Sequence, residues 1–163
     1  MTSGEVTEAE GRKTMTPGET NGVGEGSPKI SCEVTEAEGG KTMTVGEING
    51  ALLAYLGDAV IERLVRRRLI LEGGSLSDVN KAADSMVRAG SQSKAADKIL
   101  SLLTEEEECA YRRGKNHRSS TVPKNATQNE YKKATGLEAL FGYLDLIGDT
   151  ERIEFLLTEA FFK

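Results

Sequence analysis

The chain has 163 residues, 37% of them hydrophobic, so it has room for one domain with a core of its own. It contains one His and two Cys, with no CxxC pair, which argues against a structural zinc site and favours a reducing cytosol. No apolar run reaches the roughly eighteen residues that a membrane span needs, and no signal-peptide core stands at the N-terminus. We therefore expect a cytoplasmic protein.

Charge is divided unevenly along the chain. The first fifty residues hold four Lys/Arg and nine Asp/Glu, whereas residues 51–163 hold seventeen of each. The formal net charge of −5 therefore belongs to the N-terminal segment. For this reason the overall acidity does not exclude a nucleic-acid partner for the rest of the chain.

The N-terminal segment contains a direct repeat. EVTEAEGRKTMTPGETNG starts at Glu5, EVTEAEGGKTMTVGEING starts at Glu33, and fifteen of the eighteen positions are identical. Gly, Glu and Thr dominate, so the segment cannot bury enough apolar surface to offset the entropy of ordering. We predict a disordered tail over residues 1–45 and a folded domain over residues 46–163. Met43 is an alternative start, and a binding role for the repeat is the weaker reading.

Apolar periodicity and its punctuation predict helices in the rest of the chain. The first runs from about Glu47 to Leu71 and ends at two glycines, and the second follows Ser77 as its N-cap and reaches about Ala89. The third runs from about Ser93 to Leu103.

Two capping boxes open the next two helices. Thr104 with Glu107 starts the fourth, and Thr127 with Glu130 starts the fifth. Gly148 ends the fifth helix, and residues 150–162 form a last amphipathic helix. No stretch shows convincing strand alternation, so the predicted fold class is all-α.

Two apolar helical stretches each carry one acid in the middle. ALLAYLGDAVIE, from Ala51, is apolar or small up to Ile61 except at Asp58, and such a helix is buried on most sides, in a core or a subunit contact. ATGLEALFGYLDLI, from Ala134, has Glu138 as its only charge before Asp145. Two facing carboxylates repel unless a divalent cation lies between them. A buried acid paired with an Arg is the alternative.

These stretches resemble a known family. LAYLGDAV resembles the signature helix of the ribonuclease III nuclease domain, and TGLEALFGYL resembles the second acidic helix of that family. The intervening RRGKNHRSSTVPKNA is similar to the short Mini-III branch, which has the nuclease domain and no double-stranded-RNA-binding domain. The resemblance covers about residues 46–163. It implies a ribonuclease III-like helical nuclease domain with Asp58 and Glu138 as catalytic and metal-binding residues.

The same resemblance implies a specific activity and partners. It implies an endoribonuclease that uses Mg²⁺, with Mn²⁺ able to substitute, to cleave double-stranded RNA and leave 5′-phosphate ends. It also implies a homodimer formed through the signature helices and precursor 23S ribosomal RNA as the substrate. A ribosomal protein or ribosome-assembly particle is a further expected partner.

The segment between the two acidic helices is basic. Residues 111–133 hold seven Lys/Arg against one Glu, and hydroxyl and amide side chains accompany them. Double-stranded RNA is recognised largely through phosphates and 2′-hydroxyls, which such side chains suit. We predict RNA contacts from Arg112, Arg113, Lys115, Asn116, His117, Arg118, Ser119, Ser120, Lys124 and Asn125. A merely solvated loop is the alternative.

The chain departs from full-length ribonuclease III at two positions. That family places a Glu four residues before the signature Asp and an Asp three residues before the second Glu, where this chain has Ala54 and Thr135. The resemblance therefore leaves the number of bound metal ions open. Two rival interpretations follow, a catalytically inactive RNA-binding or ribosome-associated protein of the same fold, and an unrelated helical adaptor.

Overall fold

Six α-helices build the part of the chain that the structure describes, which is residues 33–34, 43–117 and 126–163 of a computed structural model. The helices are α1 Gly50–Glu72, α2 Leu76–Met86, α3 Ala89–Ile99, α4 Glu105–Lys115, α5 Gln128–Leu146 and α6 Thr150–Leu157. Short 3₁₀ turns cover Val45–Glu47 and Leu100–Leu102, and a π-helical turn, Thr158–Phe162, follows α6. A two-residue antiparallel ladder pairs β1 Glu33–Val34 with β2 Met43–Thr44. The predicted all-α fold class is confirmed.

Local capping chemistry fixes where most helices begin. Both predicted capping boxes are confirmed, since the backbone N–H of Thr104 donates to Glu107 over 2.9 Å and that of Thr127 donates to Glu130 over 2.9 Å. The predicted N-cap of α2 is wrong, because Ser75 and not Ser77 caps it. The reason is the residue three positions on, since Ser75 forms a reciprocal box with Asp78.

The first and third helices also differ from their predicted bounds. α1 begins at Gly50, because the side chain of Asn49 accepts a hydrogen bond from the N–H of Ala51 over 2.8 Å. α3 begins at Ala89, four residues earlier than predicted, and its predicted last turn is a separate 3₁₀ turn. Gly148 ends α5 as predicted, with a φ of +74° that suits glycine.

α5 is the central helix, and it packs against α1, α3 and α4. Its buried side chains meet the buried faces of those helices in one apolar cluster. Members of this cluster include Ile61, Val65, Ala96, Ile99, Leu137, Leu140, Phe141 and Leu144. None of the helices in the described ranges is long and apolar enough to cross a membrane.

α1 and α5 approach each other through glycines. A Cβ on Gly57 would overlap the backbone carbonyl of Glu138, and a Cβ on Gly142 would overlap the carbonyl of Leu53. Gly136 similarly accommodates the ring of Tyr111, which a Cβ would meet at 2.7 Å. Gly57 and Gly142 therefore let the backbones of α1 and α5 come into contact beside Asp58 and Glu138.

An ion pair between Glu107 and Arg152 links α4 to α6. Nε and Nη2 of Arg152 donate to the two carboxylate oxygens of Glu107 over 2.7 and 2.9 Å. Burial acts to raise the pKa of Glu107, but the bonds from Arg152 and from the N–H of Thr104 outweigh it, so the pKa lies below its usual value. Glu107 is thus a buried structural acid that joins α4 to α6.

The end of the second repeat copy belongs to the folded domain. Nη1 of Arg113 donates to the carbonyls of Val45, Gly46 and Ile48 over 3.3, 2.9 and 3.1 Å. Val45 is buried, and Ile48 packs on an apolar cluster beside α1 and α5. The two repeat copies differ at three positions. Two of these are Val45 and Ile48, where the first copy has Pro17 and Thr20. The rest of the predicted tail, residues 1–32 and 35–42, lies outside the described residues.

Candidate active site

Asp58 lies on the side of α1 that faces away from the core. The residue is exposed, and on the same side Leu52 and Tyr55 are 60% and 83% exposed. The opposite side of the helix buries Leu53 and Ile61 completely. The prediction that α1 is buried on most sides is therefore wrong within a single chain. The alternative that this side is a subunit contact stays a prediction.

Glu138 lies in a different environment on α5. It is half-buried, four residues before Gly142, one of the two glycines at which α5 meets α1. Burial raises the pKa of Glu138 to about 8, the negative charge of Asp58 adds to the rise, and the amide of Gln92 opposes it. The carboxyl of Glu138 is therefore held in conditions that disfavour its ionised form unless a cation joins it.

The carboxyl of Asp58 is perturbed in the same direction. Partial burial raises its pKa, the charge of Glu62 adds to this, and the charge of Arg66 opposes it. Arg66 itself forms an ion pair with Glu62 at 2.9 Å. Among the described residues neither Asp58 nor Glu138 forms an ion pair, so the alternative of a buried acid neutralised by an Arg finds no support there.

The donor set fits a divalent cation that keeps several water ligands. Within the described ranges no group of three or more His, Cys, Asp or Glu side chains could hold a metal ion, so the two acids stand without a third charged ligand. Mg²⁺ is commonly held by one or two carboxylates with water and substrate oxygens completing the shell. Asp58 and Glu138 are the residues that would hold it.

The two positions at which acids are missing are filled by packing groups. Ala54 is buried with Leu53 and Ala139 in the cluster between α1 and α5. The hydroxyl of Thr135 donates to the carbonyl of Tyr131 over 3.0 Å, which satisfies it within its own helix. Among the residues that the structure describes, neither position therefore adds a charged ligand to the two acids.

Gln92 on α3 is a site residue that the sequence prediction missed. It is only 1% exposed, and its amide acts on the carboxyl of Glu138. A signal was present in the sequence, since helical spacing puts Gln92 on the same face as Ala95, Ala96 and Ile99. A polar residue on that apolar face marks a position with a polar neighbour on another helix.

The structure describes five of the ten predicted RNA-binding residues. Arg112 is exposed and forms an ion pair with Glu108 at 3.0 Å, and Nζ of Lys115 lies 5.8 Å from the centre of the Tyr111 ring. Asn116, exposed, ends α4, and the backbone N–H of the half-buried His117 donates to Gly114. Arg118, Ser119, Ser120, Lys124 and Asn125 lie outside the described residues.

Arg113 differs from these neighbours. Its Nη1 is committed to the three carbonyls of the segment before α1, and its Nε is buried. The guanidinium therefore has a structural task that the charge pattern alone does not reveal. Its predicted contact with RNA stays a prediction.

The family follows from comparison with known proteins. A family model described as the ribonuclease III domain matches residues 51–149, a range that includes both acids. The chain belongs to the ribonuclease III family. Its similarity to named members places it in the Mini-ribonuclease 3 branch of ribonuclease III, as the resemblance implied, and it is an endoribonuclease.

Two relatives illustrate this placement. The chain is 41% identical to the Mini-ribonuclease 3 of Symbiobacterium thermophilum over 66% of its own length and 84% of that protein. It is 42% identical to the Mini-ribonuclease 3 of Enterococcus faecalis, over 64% and 82% of the two chains. A crystal structure of a Fusobacterium nucleatum protein aligns with a TM-score of 0.65 at 35% identity, covering 69% of this chain and 92% of that one. The shared region is the ribonuclease III fold.

Proposed function

We propose that this ribonuclease III-type enzyme cleaves double-stranded RNA in a Mg²⁺-dependent reaction, with Asp58 and Glu138 as the metal-binding and catalytic residues. The observation that carries the proposal is the joint environment of the two acids. Burial and the charge of Asp58 raise the pKa of Glu138 to about 8, and no ion pair within the described ranges neutralises either acid. A bound divalent cation relieves that repulsion.

The helix contact fixes the geometry that the chemistry needs. The glycine approach of α1 and α5 holds the backbones of the two acidic helices in direct contact, so the carboxylates are positioned by rigid elements. When bound, Mg²⁺ lowers the pKa of a water ligand and stabilises the charge that develops on the scissile phosphate. Asp58 lies on the exposed side of α1, so water reaches its carboxyl within a single chain. Attack of water on phosphorus would leave 5′-phosphate and 3′-hydroxyl ends.

The basic segment supplies the RNA contacts in this proposal. Arg112, Lys115 and Asn116 lie at the end of α4, and their charges and amide suit phosphate and 2′-hydroxyl groups. Arg118, Ser119, Ser120, Lys124 and Asn125 continue this set in sequence. Because these contacts are mainly with phosphates, affinity should fall steeply with salt.

A second copy of the chain completes the proposed enzyme. Leu52 and Tyr55 expose apolar surface beside Asp58, which suits a homodimer formed through α1. Precursor 23S ribosomal RNA in the cytoplasm, within a ribosome-assembly particle, is the proposed setting. Tyr55→Glu should convert the dimer into a monomer in sedimentation while the chain keeps its helical circular-dichroism spectrum, because this side chain is 83% exposed within a single chain.

One assay tests the activity directly. The full chain is incubated with an end-labelled RNA duplex, with Mg²⁺ or with EDTA, and the products are resolved on a denaturing gel. Cleavage only with Mg²⁺ supports the proposal. Cleavage that EDTA leaves unchanged would contradict the metal-dependent reaction.

The alternative of an inactive RNA-binding protein of the same fold has one observation in its favour, the halved acid set, against relatives that are named as ribonucleases. Ala54 and Thr135 replace two acids of the full family pattern. In the same assay this alternative predicts a gel shift of the duplex without Mg²⁺ and no cleavage with it.

A further inference from the structure

The amide of Gln92 is the most unusual polar group near the site. Gln92 is 1% exposed, yet among the residues that the structure describes neither its Nε2 nor its Oε1 makes a hydrogen bond of ordinary geometry. Buried polar groups are nearly always paired, and leaving them unpaired costs free energy of folding. A glutamine kept in this position therefore needs an explanation other than stability.

The surroundings of Gln92 indicate what it serves. It lies in the first turn of α3, which packs against α5, and its neighbours on the same face are the buried Ala95, Ala96 and Ile99. The polar group of α5 on which its amide acts is the carboxyl of Glu138. A carboxylate binds a cation in its ionised form, and its oxygens then still accept hydrogen bonds from an amide N–H.

We propose that Gln92 is a positioning residue that holds the carboxylate of Glu138 in place for the divalent cation, by donating a hydrogen bond from Nε2 to it. This inference rests on the proposed function, because it takes Glu138 as a metal ligand. Nε2 of Gln92 lacks a hydrogen bond of ordinary geometry in the chain without metal. Such bonds at active sites are often long before the ligand binds, so Nε2 would reach the carboxylate of Glu138 fully in the metal-bound form. Groups that orient a ligand strongly affect metal affinity in other proteins.

Metal affinity and fold stability should respond differently to the loss of the Gln92 amide if that amide positions Glu138. If Gln92 contributes only packing, an apolar residue of similar shape should preserve metal binding. If Gln92 positions Glu138, the apolar replacement should weaken metal binding. The fold should become no less stable, since the replacement removes two unpaired polar atoms from the core.

The test compares Gln92→Met with wild type, using the full chain without RNA. Mn²⁺ binding is followed by the loss of the free-ion signal in electron paramagnetic resonance, and melting is measured in EDTA. Gln128→Met is the matched control, since Gln128 is an exposed glutamine at the start of α5. Ile99→Val, in the core face of α3, is a second control for mild loss of packing.

We expect Gln92→Met to weaken Mn²⁺ binding about tenfold, the lower end of measured effects of such orienting groups, without lowering the melting temperature. Gln128→Met should change neither. Unchanged Mn²⁺ affinity in Gln92→Met would overturn the proposal, whatever the melting temperature. The proposal would also be overturned if Ile99→Val weakened Mn²⁺ binding as much as Gln92→Met does while the two variants melted at the same temperature. Loss of packing alone would then explain the effect.

The proposed nuclease activity can fail separately. A wild-type chain that binds Mn²⁺ at this site but leaves duplex RNA uncut would refute the cleavage proposal, and the comparison of Mn²⁺ affinities would still decide the part played by Gln92.

Discussion

α1 and α5 look alike in sequence and differ in the folded domain. Each is an apolar helix with one acid in its middle and glycines beside it. α5 is buried around most of its surface, whereas α1 buries one side and exposes Leu52, Tyr55 and Asp58 on the other. The candidate site therefore combines an exposed acid, Asp58, with a half-buried acid, Glu138. The shielded acid has the strongly raised pKa, and the exposed acid is the one that contributes to raising it.

The largest expected effect comes from separating the two helices. Gly142→Ala would place a Cβ into the carbonyl of Leu53, which is backbone and cannot rotate away. We expect a loss of about 3 kcal/mol in the free energy of unfolding, the upper range for overpacking, measured by urea denaturation. The matched control is Gly90→Ala in α3, whose Cβ would lie 3.6 Å from the nearest atom. If Gly142→Ala and Gly90→Ala changed the free energy of unfolding equally, α1 and α5 would not be in backbone contact at Gly142.

The next largest effect is on how the free energy of unfolding depends on pH, and it differs between the two acids. The pKa of Glu138 is raised to about 8 in the folded chain, so the folded state keeps a proton that the unfolded state loses near the usual Glu value of 4.5. In EDTA its contribution to stability is complete below pH 4.5 and is lost as the pH rises through about 8. Glu138→Gln should therefore gain a few kcal/mol relative to wild type at pH 9, and little at pH 5.

Asp58→Asn is the matched control for that measurement. The charge of Asp58 contributes less than burial to the raised pKa of Glu138, so the difference in stability between Asp58→Asn and wild type should change less between pH 5 and pH 9. Denaturation with urea at both pH values measures all three chains. Equal pH dependence in the two variants would contradict the different burial of the two acids.

A smaller effect separates two adjacent arginines. Arg113→Ala removes a charged donor from three carbonyls and should lower the free energy of unfolding by about 2 kcal/mol. Arg112→Ala, on the exposed side of α4, should leave stability within about 0.5 kcal/mol. If Arg112 contacts phosphate, its loss should make the slope of log affinity against log salt shallower by about 0.9. An unchanged slope would remove Arg112 from the RNA interface.

Local signals in the sequence predicted much of this fold. The capping boxes at Thr104 and Thr127 depend on residues three positions apart, and both were found as predicted. α2 was misplaced because two serines, Ser75 and Ser77, compete for the cap, and only the first has an acid three residues on.

What the sequence did not predict depends on contacts between distant residues. The buried amide of Gln92 acquires meaning only when α3 packs against α5, and the bonds from Arg113 reach a segment 65–68 residues earlier in the chain. Apolar periodicity similarly cannot distinguish a core face of α1 from a face left for another chain. Charge counting treated Arg112 and Arg113 alike, although their surroundings are different.

The central claim is that Asp58 and Glu138 together hold the cation that cleaves RNA. Single-turnover cleavage of a labelled duplex, run beside thermal melts in EDTA, tests it on Asp58→Asn and Glu138→Gln. Each variant keeps the size of the side chain and removes a charge that disfavours the metal-free fold, so each should melt no lower than wild type in EDTA. Each should also cut slower by orders of magnitude at saturating Mg²⁺. A folded variant that cuts the duplex at the wild-type rate would contradict the claim.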